Sequence, residues 1–450
     1  MDRIVYSRST SNGMNISKPK LIIFAVIAVI VLVFVLMMAC VIPGMQRCTS
    51  PGLQLEGALN FWGIGDSQNT YEPIIINFKK FYPKVEITYR GFNTQAEYDR
   101  ALLESMAQGK GPDVFMVLNS AVPNNTAKIF PMPQTLIPLA QLQSLFPKIV
   151  EQDFFPQQTI YGLPLSIDTL ALIYNRNFID QAAIQIPKTW EDFQGVVKKL
   201  TVVDPSRKIV RAGAAIGGSQ KNISAAPDIL SLLMLQTGTK MISNDFKSAT
   251  FASPEGRDAL RFYTQFSNGI NSAYTWNETM PNDLDAFGQE SVAMIFNYAS
   301  SLPEIQKRNP FIDYKVAPVP QPASAENRSI AYPKYWGYTV SRQSSAPDVA
   351  WQFVLFMTTN EASVRSYLTK TKKPPALDSL IRSEYINNPE LGVFARQALI
   401  ARSWPQINNI AIGNIFSNMI ELVTTNQNTI ESAIGKAQEE VSRLMSQRAF

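Results

Sequence analysis

The residue that most needs a chemical explanation is Asp168, the one charge in the otherwise apolar stretch Ile160 to Asn175, IYGLPLSIDTLALIYN. A carboxylate among aliphatic side chains is costly unless something compensates it. A structural ion pair, a local cap or a ligand that brings hydroxyl donors would each do so. A second acid, Asp66, closes the segment LNFWGIGD. Two carboxylates set about 5 to 10 Å apart could serve as glycosidase acid and nucleophile, which makes a hydrolase the enzymatic alternative. Other chemistries are closed off. The chain contains no histidine, which removes Ser-His and Cys-His catalysis and most zinc sites. Arg211 to Ser224, RAGAAIGGSQKNIS, spaces Gly213 and Gly218 like a phosphate loop, but Ser219-Gln220 stands where Lys-Ser/Thr is required. Nucleotide binding is excluded on that point, and no cofactor is expected. The glycine cluster is left as a loop reaching into a cleft, or as turn chemistry alone.

The elements that must hold these residues can be read from periodicity. Ile160 to Asn175 reads as a buried strand bounded by Gly162, Pro164 and Tyr174-Asn175. Ala58 to Trp62 reads as a short strand, followed by a loop from Gly63 to Gln68. Tyr71, Ile74, Ile75, Phe78 and Phe81 fall at helical spacing, and Pro83 ends that helix. Val85 to Tyr89 alternates as a second strand. Thr94-x-x-Glu97 is a capping box for the next helix, which Gly109 closes. Val114 to Leu118 is a third strand. Strand, helix, strand, helix, strand argues for a parallel sheet, whose ligands sit beyond the carboxyl ends of its strands. The loop from Trp62 to Asp66 and the pair Asn119-Ser120 therefore border one candidate cleft, although Asp66 and Asn119 could equally be turn and cap residues. Later, Thr189-x-x-Asp192 caps a helix through Leu200, with Trp190 as a packing residue. The last helix, Thr429 to Met445, sets Ile430, Ile434, Ala437, Val441 and Leu444 on one face.

At 450 residues there is room for two domains with large cores. A net charge of +5, with no Lys/Arg run or basic-aromatic interleaving, argues against a nucleic-acid partner. The head differs from the body. Residues 1–20 are polar with Arg3, Arg8, Lys18 and Lys20, and read as a cytoplasmic tail. Leu21 to Pro43 is uncharged and long enough to span a bilayer, with the positive charges keeping the N-terminus inside. Residues 21–43 are either an uncleaved transmembrane anchor or a lipoprotein signal with Cys40 as the lipidated residue. A cleaved secretory signal fits less well, since no A-x-A-like site is present. Residues 44–57 form a linker. Both cysteines, Cys40 and Cys48, lie in this head, so the body must be stable without disulfides. The body is expected on the extracytoplasmic side of a cell membrane, tethered through the N-terminus.

Several blocks resemble the extracellular solute-binding proteins of ABC importers, the family that includes maltose-binding protein. They are LNFWGIGD, FKKFYPKVEITYR, QGKGPDVFMV, the IYGLPLSIDTLALIYN stretch, NRNFIDQAAIQIPKTWEDF and DAFGQESVAMIFN. The resemblance implies an α/β fold of the periplasmic-binding-protein type II. Two α/β lobes are joined by crossover strands, residues 58–166 plus 321–375 forming one and 167–320 plus 376–450 the other. It implies that Ile160 to Asn175 is the first crossing, Tyr314 to Pro322 the return and Lys370 to Pro375 the third. Asp168 then faces a sugar, and Asn297-Tyr298 projects into the cleft from the second lobe. Trp62, Tyr298, Trp336 and Trp404 would offer aromatic faces, with Asp66, Asn119 and Asp168 as polar partners. For any single tryptophan, core packing is the competing reading. The expected ligand is a carbohydrate, particularly an oligosaccharide, and the expected partner is a membrane permease that takes it. Few basic residues are evident for a phosphate or sulfate. Related iron-binding proteins pair tyrosines, which leaves Tyr298 with Tyr335 as an alternative pair. A tethered sensor is a further alternative.

Overall fold

The computed structural model describes residues 55–206, 208–324 and 329–446. The tail, the 21–43 segment, Cys40 and most of the linker lie outside the described residues. No helix among the described residues is long and apolar enough to cross a membrane.

β1 (Glu56–Ile64) and β2 (Lys84–Phe92) pair in parallel over their full lengths, from Glu56 opposite Lys84 to Ile64 opposite Phe92. The helix Gln68–Phe81 connects them, and its buried face is Thr70, Tyr71, Ile74 and Phe78. The second connecting helix, Gln95–Ala107, starts at Thr94, whose side chain accepts from the Glu97 amide at 3.3 Å. That bond satisfies one of the donors a helix start leaves open. β3 (Val114–Leu118) is buried at every position, as a central strand covered on both faces requires. β4 (Leu163–Pro164) lies at the opposite edge of this sheet from β2. The sheet's last member, β12 (Trp336–Val340), returns from far along the chain and inserts antiparallel between β3 and β4. Gly337 in β12 is sterically obligatory, because a Cβ there would lie 2.3 Å from the Phe154 ring.

The second lobe is built on β6 (Ala171–Asn175), flanked antiparallel by β9 (Met294–Asn297) and β10 (Tyr314–Ala317). Parallel bridges at Ala212–Val292 and Ala215–Ile295 continue that sheet. Thr189 accepts from the Asp192 amide at 3.1 Å. Trp190 packs on Phe193, Phe262 and Phe296 and donates to Gln236 at 2.7 Å, so it is a core residue. The final helix, Ile430–Ser446, buries Ala433, Ile434, Ala437, Val441 and Met445.

Between the lobes, β5 (Asp168–Thr169) pairs antiparallel with β11 (Pro333–Lys334). A bridge from Ser166 to Pro375 adds a further passage of chain. The return expected at Tyr314 to Pro322 lies further along the chain. Residues 314–317 are an edge strand on β6, and the prolines that follow end the ladder on the side where no partner is needed. Gln321 still bonds Lys188 in the second lobe, so the chain crosses only at β11. The boundary expected at 375/376 shifts as well. Ser379 bonds Glu361 and Arg365 pairs with Glu384, which keeps residues 378–384 on the first-lobe helix Glu361–Thr371. That helix takes up part of the KTKKPP stretch, ending where Lys372 adopts a left-handed φ of 53°.

Candidate functional site

The crossing strands border a cavity of about 230 Å³. Its first-lobe wall starts where β1 ends. Gly65, at φ +77°, turns the chain there with its amide on the Phe92 carbonyl at 2.9 Å, a backbone shape that glycine adopts without strain. Asp66, next in sequence, is 9 % exposed and accepts from Lys373 Nζ at 2.8 and 3.0 Å, from Tyr367 at 2.8 Å and from Tyr71 at 3.1 Å. Lys373, Tyr367 and Tyr338 border the cavity, and Asp66 holds the first two in place from behind.

Asp168 stands at the floor of the same cavity. Its Oδ1 accepts from the amides of Thr169 and Ala299, and its Oδ2 from the amide of Ser300, all at 2.9 Å. The carboxylate thus caps the helical turn Ala299–Ser301, satisfying donors that turn would leave open. It binds the crossing strand to the second lobe without any cation. Burial pushes its carboxyl up to about 6, although the Ser300 and Ala299 amide bonds pull the other way.

Tyr298, beside that cap, donates to Asp228 at 2.9 Å, and Lys334 Nζ lies 5.7 Å from its ring centroid and 3.5 Å from the same Asp228 oxygen. Trp336 is half-buried, edge-on to Tyr98, and borders the cavity. Through Lys334 the cavity continues into a second one of about 170 Å³, which Asn119, Asp228 and Gln406 border. Asn119 donates to Asp153 at 2.9 Å and accepts from the Tyr335 amide at 3.3 Å. Asp153 also accepts from Tyr335 Oη at 2.9 Å and from Ser403. Burial raises its carboxyl to about 6, although the Ser403, Asn119 and Tyr335 hydrogen bonds pull the other way.

Of the eight residues expected at the ligand, Asp168, Tyr298 and Trp336 meet around one cavity. Asn119 borders its neighbour, and Asp66 backs the wall. Three pack elsewhere. Trp62 lies against Phe92 and under the Arg90 guanidinium, 4.7 Å from the ring. Trp404 is 2 % exposed, stacks on Phe416 and donates to Ser231. Asn297 is buried; its Oδ1 accepts from the Tyr298 amide, and its Nδ2 has no hydrogen-bond partner. Tyr298 and Tyr335 both border the cavity at the crossing, but their hydroxyls bond different aspartates, Asp228 and Asp153.

Sequence reading missed Lys334, Lys373, Tyr367, Asp228 and Asp153. Lys373 was hidden in KTKKPP, which reads as solvated turn. Its partner Asp66 is 307 residues away, beyond any local pattern. Both cavity lysines are paired with carboxylates, so neither presents a free charge.

Two α/β lobes around crossing strands, with a cavity at the crossing, define a bilobal binding protein. Residues 64–364 match the profile of the family described as bacterial extracellular solute-binding protein, and the chain belongs to that family. A galactooligosaccharide-binding protein of Bacillus subtilis is 22% identical over 400 residues, 84% of this chain and 87% of the relative. A maltotriose-binding protein of Pyrococcus abyssi is 22% identical over 394 residues, 83% of this chain and 79% of the relative. Among solved structures, a cyclo/maltodextrin-binding protein complexed with maltotetraose superposes with a TM-score of 0.73 at 19% identity, covering 89% of this chain and 99% of that one. The sugar-binding protein MalE of Xanthomonas citri gives 0.73 at 17% identity, covering 87% and 98%. The fold is that of the maltose-binding-protein-like, type II periplasmic binding proteins.

Proposed function

We propose that the chain is the extracytoplasmic solute-binding component of an ABC importer, taking an oligosaccharide between its lobes and passing it to a permease. The observation that carries this reading is the cavity at the crossing, where the Trp336 and Tyr298 rings stand beside Asp168, Ser300 and Lys334. Aromatic faces for ring carbons and polar groups for hydroxyls are what a sugar needs. Relatives that bind galactooligosaccharide and maltotriose support the ligand class. Asp168, Tyr298, Trp336 and Asn119 are the proposed contacts. A non-enzymatic role is favoured, because the hydrogen bonds of Asp66 and Asp168 hold structure together rather than leaving an acid and a nucleophile free. A thermal-shift screen of the full chain against a glycan panel tests the proposal. A ligand at 100 times its dissociation constant adds about 2.7 kcal/mol of stability, and a panel without any shift removes carbohydrate as the class.

The tether belongs to the same reading. With Leu21 to Pro43 as an uncleaved anchor, the intact mass retains Met1 or Asp2 and carries no diacylglycerol. A mature chain that starts at a lipidated Cys40 replaces the anchor with lipoprotein processing.

A further inference from the structure

Next to the cleft lies a third cavity, of about 300 Å³, between the Gln95–Ala107 helix, the segment 121–128 and the segment 407–409. It is not isolated. Trp336 and Met116 border both it and the cavity at the crossing, while Gln95, Leu118 and Asn409 border both it and the cavity of about 170 Å³. Trp336 therefore stands at the junction, half-buried and held edge-on by Tyr98 at 6.1 Å. The inner lining is apolar, with Leu102, Met106 and Met116, and Leu103 forms an outer wall at 64 % exposure. Amides supply the polar edge, from Asn124, Asn125 and Asn408. The charged lining residues are Asp99 and Lys128, one of each sign, so the groove has no net charge.

We propose that this groove holds the outer end of a neutral linear oligosaccharide whose inner end fills the inter-lobe cleft, with Trp336 between the two parts. The inference rests on the carbohydrate reading and extends it to chain length and charge. A pyranose chain presents apolar ring faces and a fringe of hydroxyls, and an apolar floor edged by amides complements that pattern. A lining without net charge offers nothing to select an acidic sugar. The ligand is then longer than the inter-lobe cleft alone accommodates, and its affinity grows with length until the groove is filled.

Titration calorimetry of the full chain tests this with linear α-1,4-glucan, β-1,4-glucan, β-1,4-mannan and β-1,4-galactan oligosaccharides, from disaccharide to heptasaccharide. The wild type gains about tenfold in affinity between the shortest binding member of one series and its longer members. Leu103→Trp, which fills the groove from an exposed helix position, abolishes that gain and leaves the shortest member unchanged. Leu103→Asp, measured alongside, removes the apolar wall without obstructing the groove and reduces the same gain. A series that binds with no dependence on length overturns the groove and leaves the cleft reading standing. Equal losses at every length in both variants overturn it too. If no series binds the wild type, the carbohydrate reading falls and takes the groove with it.

Discussion

Two buried aspartates of this protein are compensated in opposite ways. Asp66 is held by Lys373 and by two tyrosine hydroxyls, all from the first lobe. Asp168 is held by backbone amides, two of which belong to the second lobe, and by the Ser300 side chain. A cation partner is what a buried carboxylate ordinarily requires, and the Asp66 cluster uses one to brace a wall. At the crossing, the amides at the start of a helical turn take that role; they favour the ionised form, but burial outweighs them and raises the carboxyl to about 6. Asp153, tied to Ser403, Asn119 and Tyr335, follows the Asp168 pattern. Asp66 is thus neutralised by a cation, whereas Asp168 and Asp153 are met by hydrogen-bonding dipoles.

The largest effect should come from breaking the charge pair. Asp66→Ala removes a buried acceptor from Lys373 and Tyr367 together, and urea melts should show a loss of about 4 kcal/mol. A double variant, Asp66→Leu with Lys373→Met, should recover most of it. If the single variant melts like the wild type, the brace is not structural and the contrast with Asp168 collapses.

The next effect concerns pH. Because burial raises Asp168 to about 6 in the folded state from the ordinary carboxylate value of 3.8, the folded state binds its proton more tightly than the unfolded chain does. That contribution is complete below the unfolded value and is lost as pH rises through 6. Asp168→Asn lacks this titration, so its stability relative to the wild type should improve by about 2 kcal/mol from pH 4 to pH 7. Parallel stability curves for the two proteins would show that the amides compensate the charge fully.

Ligand affinity sharpens the comparison at a smaller scale. With a glycan from the screen, Asp168→Asn should bind about tenfold more weakly at pH 7, having lost a charged acceptor. Unchanged affinity would make Asp168 a cap and nothing more. Smallest of all, Lys334→Met breaks a half-exposed pair with Asp228 and should cost less than about 1 kcal/mol of stability. A larger loss would mean that this pair, and not Asp168, carries the tie between the lobes.

Those contrasts were only partly visible before folding. Thr94 and Thr189 announced their helices because capping is local, requiring a hydroxyl within three residues of an amide. The apolar run around Asp168 was visible as strand, but not its division among β4, β5 and β6, which join three different sheets. Trp62 shows how little separates a site from a core. Its neighbour Phe61 faces Tyr71, Tyr89 and Tyr338, and a strand turns the next residue to the other face, under Arg90. The return crossing is hard to read from sequence because β11 is two residues long and has no periodicity. A proline-bounded edge strand looked more like a crossing than the crossing did.

The sequence by itself determined the alternation of strands and helices, the family, and the acid on the first crossing, because propensity, capping and apolar spacing act over a few residues. Only the tertiary structure decided which groups meet that acid and its counterpart. Lys373 reaches Asp66 across 307 positions, and Ser300 reaches Asp168 across 132. Contacts at such separations depend on how distant elements pack within and between the lobes, and no local pattern in the chain records that packing.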